Sequence, residues 1–167
     1  MKNLLIIAIG GYLLFKIFTM FFGSPGSFDP VAEFKSELCD SRIQKVDSSK
    51  LKGKTILLYF SAKWCPPCQQ FTPILVKFQQ KHRDKVEVVF ISSDKNKSEM
   101  SAYIKSKRMD AFYCVDFNSP LRGALGKQFK VKGIPSVVVI SPKGEVASMN
   151  GRDHIYRSRE LPEEWTQ

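Results

Sequence analysis

The chain has 167 residues with 43% hydrophobic and 25% charged side chains, which is room for one domain with a real core and excludes a disordered chain. Its four cysteines, at positions 39, 65, 68 and 114, are too few and too unevenly spaced for a disulfide scaffold. The formal net charge is +10, or +8 once Lys2 and Lys16 of the N-terminal apolar segment are removed. No helix-turn-helix, zinc-finger or RNP-like pattern accompanies that charge, so nucleic acid is not expected as a partner.

Leu4 to Phe22 is almost unbroken apolar sequence, interrupted by Gly10, Gly11, Lys16 and Thr19. As a helix its reach is about 28 Å, close to the thickness of bilayer hydrocarbon, with Lys16 placed to snorkel. The reading preferred on these grounds is a hydrophobic signal-anchor or transmembrane helix over residues 1–22. It implies a single-pass, membrane-anchored protein with the membrane as a partner. A cleaved signal, and hence a secreted chain, is the competing reading. It is disfavoured because cutting after Gly23 or Ser24 places Phe21 or Phe22 where a small residue is wanted. A targeting segment for another organelle is the third. The flanking Lys2, Lys35 and Arg42 leave the side of the membrane undetermined.

Residues 23–29, with Gly23-Ser24-Pro25-Gly26-Ser27, read as a linker, and residues 30–167 as the domain. Asp29-Pro30 opens a short helix with Val31, Phe34 and Leu38 at helical spacing, and a short strand is expected around 43–46. Lys54–Ala62 is a continuous apolar run of strand length, as in a central strand buried on both faces. It feeds directly into Trp64-Cys65-Pro66-Pro67-Cys68. Phe71, Ile74, Leu75 and Phe78 then mark one face of a helix that Pro73 should kink. A second buried strand is expected over 86–91, a helix over 98–108, and an extended segment within 112–117. A helix over 121–129 follows, then strands at 136–140 and 145–148 joined by the turn Ser141-Pro142-Lys143-Gly144. Strands alternating with helices and closing in a hairpin predict an α/β fold with a central mixed sheet flanked by helices.

Cysteines at i and i+3 on the first turn of a helix share one face and can close a disulfide. The strand–turn–helix context puts Cys65 at the helix N-terminus, where free N–H groups and the macrodipole favour a thiolate. Cys68 lies one turn deeper. That asymmetry makes Cys65 the attacking sulfur and Cys68 the resolving one. Pro66 and Pro67 suit the first turn but withdraw two N–H donors from the neighbourhood of the sulfur. A zinc half-site is disfavoured, because Cys39, Cys114, His82 and His154 offer no second pair at short spacing. No metal and no cofactor beyond the redox-active disulfide is expected. Pro135, in Gly133-Ile134-Pro135, reads equally as an ordinary strand-start proline or as part of a cis bond. Cys39 and Cys114 read as small buried hydrophobes and the two histidines as surface residues. Asn96-Lys97-Ser98 matches a glycosylation acceptor.

With Trp-Cys-Pro-Pro-Cys and Gly-Ile-Pro in place, the sequence resembles the tryparedoxin and nucleoredoxin branch of the thioredoxin superfamily over residues 40–165. Tyr59 to Cys68, Phe71-Thr72-Pro73, Val86 to Asp94, Gly133 to Ser136, Gly144-Glu145-Val146 and Gly151-Arg152 carry the likeness. The resemblance implies a thioredoxin-like fold, a surface-exposed Cys65, and a cis Ile134–Pro135 bond packed against the cysteines. It also implies substrate contacts from Trp64, Pro66, Pro67, Ile134 and Pro135. The activity implied is that of a protein-disulfide reductase. Its partners are a protein or low-molecular-weight disulfide and a dithiol reductant or reductase. A luminal oxidase or isomerase, and a redox-gated binding module, are the alternatives.

Three positions depart from the branch: Gln69 where Arg is frequent after the second cysteine, Lys95 where trypanothione-using members have Glu, and Tyr59 where other thioredoxins carry a buried acid. The tail Glu160–Trp165 is expected to close on the domain, with Trp165 packed.

Overall fold

The computed structural model describes residues 27–167. Six strands form one sheet in the order β1-β4-β3-β2-β5-β6. Its centre is β2 (Thr55–Ser61) and β3 (Val86–Ser92), paired in parallel over their whole length from Thr55↔Val86 to Ser61↔Ser92. On one side of this pair β4 (Tyr113–Val115) runs parallel to β3, and β1 (Leu38–Cys39) is antiparallel to β4. On the other side β5 (Ser136–Ile140) is antiparallel to β2, and β6 (Val146–Ser148) closes the edge.

Period-2 alternation explains why the central strands read as continuous apolar runs. Leu57, Tyr59, Val88, Phe90, Val137 and Val139 enter one core. Ile56, Leu58, Phe60, Val89, Ile91, Val138 and Ile140 enter the other, on the opposite face. The first core is roofed by α2 (Pro66–Lys81), α3 (Lys97–Ser106) and α5 (Gly151–Arg157), through Phe71, Leu75, Phe78, Met100, Tyr103, Ile104 and Ile155. The second is covered by Phe28 and Phe34 on either side of α1 (Pro30–Glu33), by Leu51 of a 3-10 turn at Ser48–Leu51 and by Leu125 of α4 (Leu121–Gln128). Each fully buried Leu, Ile or Phe contributes about 1.5–3 kcal/mol relative to exposure, so both faces drive folding.

Local chemistry sets the element ends. Asp29 caps α1, its carboxylate accepting from the Val31 and Ala32 N–H groups. The helix stops at Glu33, so Leu38, expected on its apolar face, instead pairs in β1 with Val115. The strand expected around 43–46 reduces to a Cys39↔Lys45 bridge. Asp40 Oδ1 accepts from Arg42 and Gln44 N–H, and Ile43 takes a positive φ of 60°, so the chain turns where extended structure was anticipated. Asn96 caps α3 by accepting from Glu99 N–H at 2.8 Å. In the β5–β6 hairpin, Gly144 has φ 82°, and an added Cβ would meet the Phe28 carbonyl at 2.5 Å. Phe28 N–H donates to the Gly144 carbonyl, and its ring packs edge-on to Phe34 and Phe129. Phe28, within the expected linker, is thus part of the second core. α2 runs on through Pro73, which removes one N–H from its ladder.

The tail adds α5, a 3-10 turn at Glu163–Trp165 and a buried Trp165, whose carbonyl accepts from Thr55 Oγ1 at 2.8 Å. The histidines are not the plain surface residues anticipated. Each is half-buried, with the His82 ring against Phe78 and the His154 ring against Trp165.

The expected membrane-anchored, single-pass localisation is corrected. Among the described residues no helix is long and apolar enough to cross a membrane. The longest of them, α2, has 16 residues and carries Gln69, Gln70, Lys77, Gln79, Gln80 and Lys81, whereas a span needs about 20 predominantly apolar ones. The hydrophobic helix expected over residues 1–22 lies outside the described residues.

Candidate active site

β2 ends at Ser61, and the chain turns through Ala62-Lys63-Trp64 into α2. That turn is held from three sides. Asp94 Oδ1 accepts from Lys63 N–H at 2.7 Å, Trp64 Nε1 donates to the Ser93 carbonyl at 3.1 Å, and Gln69 Nε2 donates to the Lys63 carbonyl. Gln69, standing where Arg is frequent, therefore closes the loop through an amide rather than supplying a cation. Asp94 is itself braced by the Ser92 hydroxyl at 2.8 Å. Burial raises its carboxyl above the ordinary value, partly offset by the Ser92 and Lys63 hydrogen bonds.

Cys65 is the N-cap of α2, and Cys65 and Cys68 are joined in a disulfide with Cα atoms 5.2 Å apart. Because Pro66 and Pro67 fill the first two helical positions, the first available donor is Cys68 N–H, which points at Cys65 Sγ from 3.3 Å. The helix end thus presents its positive pole to this sulfur through a single N–H. The Ile134–Pro135 bond is cis, and the Ile134 carbonyl oxygen lies 3.7 Å from Cys65 Sγ. The structure therefore brings Cys65, Cys68, Ile134 and Pro135 together, with Trp64, Pro66 and Pro67 exposed around them. One implied feature needs correction. Cys65 is only 3% exposed and so lies just beneath the surface, tied inward by the disulfide and packed under Ile134. Trp64, at 55% exposure, is the part of the motif that faces solvent.

Behind the disulfide is a buried hydroxyl cluster that sequence reasoning missed. Thr72 Oγ1 donates to the Cys68 carbonyl at 2.8 Å and meets the Tyr59 and Tyr103 hydroxyls, while the Ser61 hydroxyl donates to Tyr59. Ser61 and Thr72 lay in stretches that carry the resemblance and Tyr103 in none, but only Tyr59 was given a role, as the replacement for an acid. Burial pushes the Tyr59 phenol well above its ordinary value, so it stays neutral and is no proton acceptor for Cys68. Cys39 and Cys114 are both free and buried, as anticipated.

A dithiol–disulfide pair at a helix N-terminus, facing a cis-proline loop on a mixed sheet, defines the thioredoxin class. The chain belongs to the thioredoxin-like family, whose family model matches residues 53–146. Among relatives, it is 42% identical over 112 residues to a probable nucleoredoxin 1 of Arabidopsis thaliana, covering 65% of this chain and 19% of that one. It is also 42% identical over 103 residues to the tryparedoxin of Trypanosoma brucei brucei, covering 60% of this chain and 70% of that one. A solved tryparedoxin II complexed with glutathionylspermidine superposes with a TM-score of 0.71 at 27% identity, covering 79% of this chain and 94% of that one. The chain spans about a fifth of the length of the nucleoredoxin relative.

Proposed function

We propose that this chain is a thiol–disulfide oxidoreductase that reduces protein and low-molecular-weight disulfides with the Cys65/Cys68 couple. The observation that carries the reading is the Cys65–Cys68 disulfide capping α2, with Cys68 N–H directed at Cys65 Sγ and the Ile134 carbonyl beside it.

In the reduced form the Cys65 thiolate attacks one sulfur of the substrate disulfide. The Cys65–substrate bond forms, the substrate S–S bond breaks, and the second substrate sulfur leaves as thiolate. The Cys68 thiolate then attacks Cys65 Sγ, closing the Cys65–Cys68 disulfide and releasing the first substrate sulfur. Two electrons have passed to the substrate. A dithiol reductant or reductase returns them by the same exchange run on Cys65–Cys68. Trp64, Pro66, Pro67, Ile134 and Pro135 serve as the docking surface, the Ile134 backbone pairing with an extended substrate segment. The chemistry requires no metal or cofactor beyond the disulfide itself.

The test is insulin-disulfide reduction followed by turbidity with dithiothreitol as donor. Wild type is expected to shorten the lag and Cys65→Ser to match the no-protein control. A wild-type curve equal to that control overturns the reading.

A further inference from the structure

Two grooves flank the loop that carries the Ile134 carbonyl. One, of about 360 Å³, lies on the Trp64 side, with Phe60, Ile91, Arg122 and Lys132 in its lining. The other, of about 490 Å³, lies on the far side, with Lys130, Lys132, Met149, Asn150, Arg152 and Asp153 in its lining. An extended segment that crosses the Ile134 backbone with its cysteine at Cys65 runs one flank into each groove.

The charges in these grooves are one-sided. Among the lining residues Arg122, Lys130, Lys132 and Arg152 stand with one acid, Asp153, whose carboxylate is 3.9 Å from Arg152 in an exposed, weakly coupled pair, while Asp94 and Asp116 act on Arg122 from outside the lining. Beyond Trp64, Lys63 and Lys95 are exposed, and the nearby acids are already engaged. Asp94 is buried and holds the Lys63 N–H, and Glu99 accepts from the Lys95 N–H at 3.2 Å.

One of the cations is held on a frame rather than free in solvent. Arg122 donates from Nη1 to the Ser92 carbonyl at 2.8 Å and stacks 4.0 Å over Phe117. The Nε atoms of both Arg122 and Arg152 are buried without a protein partner. A fixed cation loses little freedom on meeting an anion, and apolar walls strengthen the attraction. Lys132 belongs to both grooves, so it sits where the two fields overlap.

We propose that the preferred substrate is a protein disulfide whose cysteine lies in an acidic extended segment, with carboxylates on both sides of it. Lys132 is the principal specificity residue. This deepens the reductase reading and rests on it. The same field disfavours cationic disulfides, because like charges would meet along both flanks.

The experiment uses the full chain, reduced beforehand, in single-turnover exchange with three mixed-disulfide peptides of equal length. These carry Glu on both sides of the cysteine, Glu on one side, or Lys on both. Formation of the Cys65–Cys68 disulfide is read by acid quench, alkylation and mass. At low ionic strength the doubly acidic peptide is expected to react about tenfold faster at subsaturating concentration than the basic one, with the singly acidic peptide between them. The limiting rate should change little, and the gap should shrink at high salt. Lys132→Glu should narrow or invert the preference. Lys132→Gln should narrow it without inversion. Equal rates for acidic and basic peptides, with all three reduced, overturn the proposal and leave the reductase reading standing. A singly acidic peptide as fast as the doubly acidic one overturns the two-sided form. If no peptide is reduced, the reductase reading itself fails.

Discussion

The chain holds two cysteine pairs, and burial does not tell them apart. Cys65 and Cys68 are 3% and 0% exposed; Cys39 and Cys114, Cα partners across β1 and β4, are 0% and 1%. The difference is in the field around each sulfur. Cys65 caps a 16-residue helix and receives an N–H at 3.3 Å, with exposed Trp64, Pro66 and Pro67 beside it. Cys114 is driven far up by burial, reinforced by Cys39, Asp40 and Asp116, and burial raises Cys39 as well. Two thiols close in space are thus not yet a redox pair. One of them must sit where the backbone stabilises its anion.

The largest effect separates the pairs by function. Cys65→Ser should lower insulin reduction at least about a thousandfold, because it removes the nucleophile. Cys68→Ser should instead accumulate a mixed disulfide on Cys65, visible as an adduct by intact mass. Cys39→Ala and Cys114→Ala should leave the rate within about twofold and cost stability only, through small cavities. A comparable loss of rate from either alanine variant would erase the distinction.

The support behind Cys68 comes next. Thr72→Val removes the oxygen shared by Tyr59, Tyr103 and the Cys68 carbonyl, leaving Ser61 as the remaining hydroxyl partner of both tyrosines. It should cost about 1–3 kcal/mol in urea denaturation.

Asp94, beneath the motif turn, sharpens the comparison through pH. Its carboxyl is raised by burial, so the folded chain holds that proton more tightly than the unfolded chain does. Its contribution to stability therefore falls as pH rises from the ordinary carboxylate value through the raised one, then stays constant. Asp94→Asn should lack this slope in denaturation curves taken across that range. An identical slope in wild type and variant would remove Asp94 from the account.

The smallest effect lies beside the other pair. Asp116 is lowered by the Asn118 N–H and by Lys45, 3.0 Å away. Its stabilisation is present above the ordinary carboxylate value and is lost as pH falls through the lowered one. Asp116→Asn should cost less than about 1 kcal/mol at neutral pH, since the pair is partly exposed.

What was legible in the sequence followed from strong local signals. The central strands were visible because burial on both faces leaves no polar alternation to confuse them. α2 was visible because cap, prolines and apolar stripe all agree. β1 escaped notice because two residues carry no period, and Leu38 fitted the helix pattern that ends early at Glu33. The Cys65/Cys68 geometry was readable from spacing. The hydroxyl cluster was not, because Ser61, Thr72 and Tyr103 meet only through tertiary packing. Cys65's depth was misjudged for the same reason: the loop that covers it arrives 69 residues later. The reading of a membrane-anchored chain came from hydropathy and from the poor cleavage sites after Gly23 and Ser24, and no described helix is long and apolar enough to span a bilayer.

The most direct test of the central claim is competitive alkylation of the fully reduced native chain from pH 5 to 9, quantified for each cysteine by peptide mass. The account predicts that Cys65 labels first, with a midpoint below the ordinary thiol value of about 8.5, while Cys39 and Cys114 stay unlabelled until the chain unfolds. Labelling of Cys114 or Cys39 at a rate equal to that of Cys65, or a Cys65 midpoint at or above the ordinary value, would contradict it.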